Sequence, residues 1–401
     1  MKPSVAAVVL LALVTVAFVG CVTQPKVAPA PAEAAFYPLP PDPPRIQFLT
    51  SISTSQDVGA KKKSGFAQFI LGEEEEPVHG PYKPYGIAMH DGKIYVCDTK
   101  ALVIDVFDLK NSSFYYFGNS GQGKLRKPIN IFIDPATGEK YVADPVRQQV
   151  VVFGPDDNYV RAYGTAFESK AVDVAVWEGE VFVVDVGSHQ IDVYDKVSGN
   201  LLRRIGERGP EPGHFNFPSN IAIDAEGNLY VSDSFNFRIQ KLDRNGNVLK
   251  VIGEVGDAPG TFTRARGLAV DRDGILYVVD AAFELVQLFN KDGRCLMWFP
   301  SGGEDPGALV LPADIYINYD DHALFQKYVS ADFQVDYIVL VSSQYGNRLV
   351  NVYGFGHKAG MTPPGPFEAV PAVSFPAKEK KEPPAPEKEK LFYETTAEPP
   401  G

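Results

Sequence analysis

An all-β, six-bladed β-propeller closed by an N-terminal strand is the fold this chain predicts, on three observations. The first is a recurring phrase: an apolar strand, a tight polar turn, and a second strand ending in Asp. It closes at Asp98, Asp144, Asp185, Asp233 and Asp280, with successive spacings of 46, 41, 48 and 47 residues. The second is the text after each Asp. A third short strand comes next ("LVIDVFD", "QVVVFG", "QIDVYD", "RIQKLD", "LVQLFN"), then a fourth running toward Gly, clearest in "LLRRIGERG" and "VLKVIGEVG". Four short strands at a period of about 40–50 residues mark a propeller. Each small sheet buries both faces only by packing between neighbours. The third is composition: 45% hydrophobic, with 36 Gly and 33 Pro for turns and 26 Phe and 19 Tyr suited to strands.

Taken in order, "KPYGIAMHDGKIYVCD" opens blade one, "KPINIFIDPATGEKYVAD" blade two and "KAVDVAVWEGEVFVVD" blade three. "FPSNIAIDAEGNLYVSD" opens blade four and "RARGLAVDRDGILYVVD" blade five. Blade six is degenerate. "LPADIYINYD" supplies its first strand and, after an insertion, "YIVLVSSQYGNRLVNVY" the next two, with Ser343 where Asp is expected. No fourth strand comes after them. "RIQFLTSIST" (45–54) is expected to fill that place by pairing with the strands around 336–353, which removes a free sheet edge. The propeller is thus assigned to 45–356.

The ends differ in kind. Lys2 precedes the apolar run Val5–Val19, which is shorter than the roughly 20 residues a spanning helix needs. Residues 1–20 therefore read as a secretory signal. Residues 21–44 are Pro- and Ala-rich and read as an extended tether; the Pro/Lys/Glu-rich stretch 357–401 reads as a disordered tail. "KKKSGFAQFILGEEEE" (61–76) interrupts the repeat. Phe66, Phe69 and Ile70 share one helical face, so a short helix capping the propeller or docking on a partner is expected. Its charge order opposes the helix dipole.

The net charge of −12 excludes a nucleic-acid partner, which needs a concentrated basic face. Cys97 and Cys295 sit in strand-like text and read as two separate buried thiols, with a disulfide as the alternative. No Cys-x-x-Cys occurs, so haem attachment and a zinc ribbon lack support.

The repeats resemble the NHL repeat: Pro-x-Gly-Ile-Ala-Val-Asp, then Leu-Tyr-Val-x-Asp, then Arg-Ile-Gln-x-Phe. Blade four carries Pro218, Ile221, Ala222 and Asp224, then Leu229, Tyr230, Val231 and Asp233, then Arg238, Ile239 and Gln240. Blade three lacks the Pro and blade six the Asp. The resemblance implies a propeller over about three-quarters of the chain and leaves function open, since such propellers serve as enzymes, protein platforms and RNA platforms. "AFVGC" resembles a bacterial lipobox, with Phe18 where Leu is usual. That likeness implies lipidation of Cys21, stable anchoring by several acyl chains and, with Val22 rather than Asp after the Cys, an outer-membrane location in a Gram-negative cell envelope.

Three sets of residues are candidates for function. Asn130, Asp173, Asn220 and Asp314, with Gly86 and Gly267, precede the apolar core of each inner strand and should ring the axis. Carboxylate and amide oxygens suit Ca2+ or another divalent cation; the alternative is bonding to local backbone. The recurrent Asp residues are expected to accept N–H bonds from the turn after the strand, with Arg238 pairing to Asp233. Phe235, Phe237, Phe283 and Tyr345, on loops of three adjacent blades, are expected to form a partner-binding patch or to pack between loops. His189 and His214 are expected on the same face, without a third ligand. No nucleophile elbow, phosphate loop or paired-carboxylate motif is present, so no catalytic residue is assigned. The function expected is a membrane-anchored extracytoplasmic scaffold that binds an envelope protein or small ligand. The alternatives are a metal-dependent hydrolase or lyase with its site at the axial mouth, and a structural member of an envelope assembly.

Overall fold

The computed structural model describes residues 34–59, 78–164, 169–300 and 306–360. They form six sheets around an axis. Blade one runs Pro84–His90, Lys93–Asp98, Val103–Asp108 and Ser113–Phe117 from the axis outward. Blades two to five repeat this antiparallel order, from Asn130–Ile133 to Tyr159–Tyr163, Ala171–Trp177 to Leu201–Ile205, Pro218–Ile223 to Val248–Ile252, and Ala265–Val270 to Cys295–Phe299. The innermost strands neighbour one another in sequence order, and Pro312–Asn318 of blade six returns to Pro84–His90 of blade one.

Blade six closes as expected. Ile46–Ile52 pairs with Val350–Lys358, with Ser51 opposite Asn351 and Ile46 opposite Phe355. The sheet also gains a strand that falls in the stretch read as tether: Phe36–Tyr37 pairs with Ile46–Ile52. Tyr37 is buried among Phe299, Leu309 and Tyr353, and this burial of an aromatic ring extends the propeller back to Ala35, the start of the compact unit. The insertion between the first two strands of blade six carries a 3-10 helix, His322–Tyr328, whose Phe325 packs beside Ile338 and Leu340.

There is no single core. Six apolar clusters form, each shared by two successive blades: Tyr95 and Val106 meet Ile131 and Val142 between blades one and two, and Val279 and Leu288 meet Ile315 and Val339 between five and six. The second and third strands of a blade are therefore covered on both faces. Nearly every residue of Lys93–Asp98 and Val103–Asp108 is buried, whereas Ser113–Phe117 at the rim is largely accessible. This explains why the middle strands read as continuous apolar runs and the fourth strands do not. Cys97 is buried and Cys295 half-buried, both as free thiols. Residues 1–20, Cys21, the 61–76 segment and the tail beyond residue 360 lie outside the described residues. Among the described residues no helix is long and apolar enough to cross a membrane.

Candidate binding face and axial mouth

The loops that enter each first strand and leave each second strand share one face, and the recurrent Asp residues build it. Asp98 accepts the N–H groups of Tyr82 and Lys83 from the entering loop, at 2.6 and 3.2 Å, and those of Lys100 and Ala101 from the leaving turn, at 2.8 and 3.0 Å. Asp144 does the same for Arg126, Lys127, Val146 and Arg147. Asp185 and Asp280 repeat the pattern. Asp233 accepts Asn216 N–H and, at 2.8 Å, the Arg238 guanidinium, the pair expected from their spacing. In blade six the Ser343 hydroxyl accepts Val310 N–H at 3.3 Å. One buried carboxylate thus ties two loops together, so residues three positions before the axial ring are fixed in space.

At the axis, the ring residues come together across blade boundaries. Asp173 of blade three accepts Val174 N–H and, from blade four, Ile221 N–H, both at 2.8 Å. Asp314 of blade six accepts Ile87 N–H of blade one at 3.0 Å. Asn130 accepts its neighbour Ile131 N–H at 3.1 Å. The side-chain amide of Asn220 is buried beside the Asp173 carboxyl. The two Gly positions are dictated by close approach: a Cβ on Gly86 would stand 2.5 Å from Asn130 Cα, and one on Gly267 2.5 Å from Asp314 Cα.

Burial, and then the neighbouring Asp314 charge, push the Asp173 carboxyl well above the usual carboxylate range. Burial pushes Asp314 up to about 7. The carboxylates are engaged by backbone N–H groups, and no cluster of three or more His, Cys, Asp or Glu side chains able to hold a metal occurs among the described residues.

Above the ring, the residue before Gly86 is Tyr85 and the residue before Gly267 is Arg266. The Arg266 guanidinium donates to the Tyr85 hydroxyl, joining blades five and one. Burial raises the Tyr85 phenol, and the Arg266 charge pulls it back. Two serines stitch the seams from behind: Ser232 donates to Arg266 O at 2.6 Å and Ser342 to Tyr85 O.

The aromatic residues are placed differently from one another. Phe235 is 61% exposed and packs on Phe217 with ring centroids 4.9 Å apart; Phe217 packs edge-on against His189 at 4.6 Å. Tyr345 is 51% exposed and lies under the Lys83 ammonium, 5.5 Å away. Phe237, at φ 55°, and Phe283 are half-buried in their turns. The aromatic contacts thus join blades three with four and six with one. Phe217 was missed in the sequence because it sits before the repeat phrase rather than in the turn after it. His189 is buried and its Nδ1 accepts Phe217 N–H at 2.9 Å, while His214 faces Glu207; the two do not form a pair.

Comparison with known proteins agrees with this architecture. The NHL repeat model matches residues 215–242, the phrase of blade four. A Caenorhabditis elegans protein described as a probable peptidyl-alpha-hydroxyglycine alpha-amidating lyase is 31% identical over 189 residues, 44% of this chain and 52% of that protein. The match thus spans about half the length of that relative. Among solved structures, a protein of unknown function from Bacteroides thetaiotaomicron superposes with a TM-score of 0.52 at 14% identity, over 77% of this chain and 75% of that one. Virginiamycin B lyase from Staphylococcus aureus gives 0.47 at 14% identity, over 68% and 85%. The chain carries an NHL repeat and folds as a six-bladed propeller.

Proposed function

We propose that this protein is a membrane-tethered, extracytoplasmic binding propeller that engages a partner through the face built by the Asp-tied loops. The observation that carries the reading is the exposure of Tyr82, Phe217, Phe235 and Tyr345 on that one face, at 71, 41, 61 and 51%. Rings held open to solvent on rigid turns supply contact area at little entropic cost. Anchoring rests on the N-terminal sequence: the apolar run, Cys21 and the Pro/Ala-rich tether favour a face outside the cytoplasm, at the outer membrane. Two experiments test this. Radiolabelled fatty acid is incorporated by the wild-type chain and not by Cys21→Ser. A Phe217→Ala/Phe235→Ala/Tyr345→Ala variant, with its melting temperature retained, loses the envelope protein that the intact chain captures from native membranes. Retention of every captured protein would overturn the reading.

A second reading, a lyase acting at the axial mouth, is favoured by the 31% identity to the amidating-lyase relative. Conversion of a peptidyl-α-hydroxyglycine to an amidated peptide and glyoxylate by the purified chain, lost in Arg266→Gln, would establish it.

A further inference from the structure

The chain is acidic overall, yet the centre of the loop face is not. Around the mouth, on the loops of blades one to three, stand Lys83, Lys100, Lys124, Arg126, Lys127 and Lys170, and the one acid among the described residues of these loops, Asp57, is held by the Ser53 and Thr54 N–H groups. None of the six forms an ion pair among the described residues. Lys83, Lys127 and Lys170 occupy the same place in three successive blades, three residues before the axial ring, with their backbone N–H groups held by Asp98, Asp144 and Asp185. Arg264 holds that place in blade five, fixed by Asp280. At the inner end of this sector the half-buried Arg266 donates to a phenol, not to a carboxylate. Among the described residues the other acids of this face, Glu207, Glu211, Glu254, Asp257 and Glu284, fall in blades four and five.

We infer that the basic sector of blades one to three is a docking site for a short acidic peptide segment of a partner protein. This deepens the binding reading above and rests on it. The chemistry selects this class. Lys ammonium groups are point charges that take single carboxylates without a required geometry. The sector is confined, and the chain beyond it is negative, so a long polyanion would be repelled within about one Debye length of the rim. Exposed tyrosines at the edge, Tyr82 and Tyr345, supply the apolar contact a peptide backbone and stems need.

The test uses the full chain and oligo-glutamate as probe at low salt, with phosphatidylglycerol vesicles and inorganic polyphosphate as comparators. Oligo-glutamate binds, weakens as salt rises, and is preferred to both comparators. Lys100→Glu/Lys127→Glu/Lys170→Glu, three exposed changes in three blades, lowers its affinity about tenfold or more at unchanged melting temperature. Lys110→Glu/Lys291→Glu, with both changes on the opposite face, alters it less than about twofold. Absence of binding, tighter binding of vesicles or polyphosphate, or equal losses in the two variants would overturn the inference. If oligo-glutamate fails while the aromatic variant still loses its captured protein, the acidic-segment inference fails and the binding reading stands. If oligo-glutamate binds by these criteria while the aromatic variant keeps every captured protein, the reverse holds.

Discussion

The two faces of the propeller treat their charges oppositely. On the face of tight turns, cations find carboxylates: Lys110 meets Asp91 at 2.5 Å, Lys196 meets Asp134 at 2.5 Å, Lys241 meets Asp224 at 3.0 Å and Arg244 meets Glu178 at 2.9 Å. Two of these pairs, Lys196–Asp134 and Arg244–Glu178, join neighbouring blades. On the loop face the recurrent Asp carboxylates are buried and accept backbone N–H groups, and the lysines of blades one to three are left without ion pairs among the described residues. The turn face commits its charges to the fold. The loop face commits its recurrent Asp residues to the fold and leaves the lysines of blades one to three without carboxylate partners among the described residues, and that asymmetry points to the loop face as the one that meets a partner.

The largest effect that sharpens this contrast is at Asp233. Asp233→Ala strips the partner from buried Arg238 and frees Asn216 N–H, and is expected to cost about 3–5 kcal/mol, read as the shift in denaturation midpoint. A comparable loss from Lys127→Ala would break the contrast. Next is Asp173→Ala, which orphans Val174 and Ile221 N–H at a blade seam, at about 2–4 kcal/mol. The loss should be the same with calcium or with chelator if the ring serves the backbone; a calcium-dependent difference would support the metal reading of the axial ring.

A smaller, pH-dependent effect comes from Asp105, whose carboxyl burial and then the Asp98 charge push up to about 8. A folded value above the unfolded one means that stability is fully present below about pH 4 and drains away as pH climbs toward and through 8. Asp105→Asn should melt like wild type near pH 4 and increasingly above it by pH 9. Parallel curves would show that Asp105 does not carry the effect. Smallest of all is the exposed Lys110–Asp91 pair: Lys110→Ala should leave the melting temperature unchanged within error.

Much of the fold was legible before any coordinates. The recurrent Asp residues, the break at Ser343 and the spare strand at 45–54 sufficed for blade number and closure, because a repeat writes its local structure out several times. Phe36–Tyr37 was not legible. Two residues inside a Pro-rich stretch carry no period, and only the pocket under Tyr353 makes a strand of them. The axial ring was found by position, yet its use was not. That Asp173 reaches Ile221 and Asp314 reaches Ile87 depends on how close neighbouring blades come.

The sequence by itself determined the blades, their order, the turn chemistry of each Asp and the strand that closes the circle. These arise from period, side-chain alternation and short-range hydrogen bonding, all local along the chain. Only the tertiary structure decided that the lysines of three blades gather round one mouth, that Arg266 meets Tyr85, and that Phe217 joins Phe235. Each joins residues tens to almost two hundred positions apart, or on different loops, and only the radial packing of the blades brings them within a few ångströms.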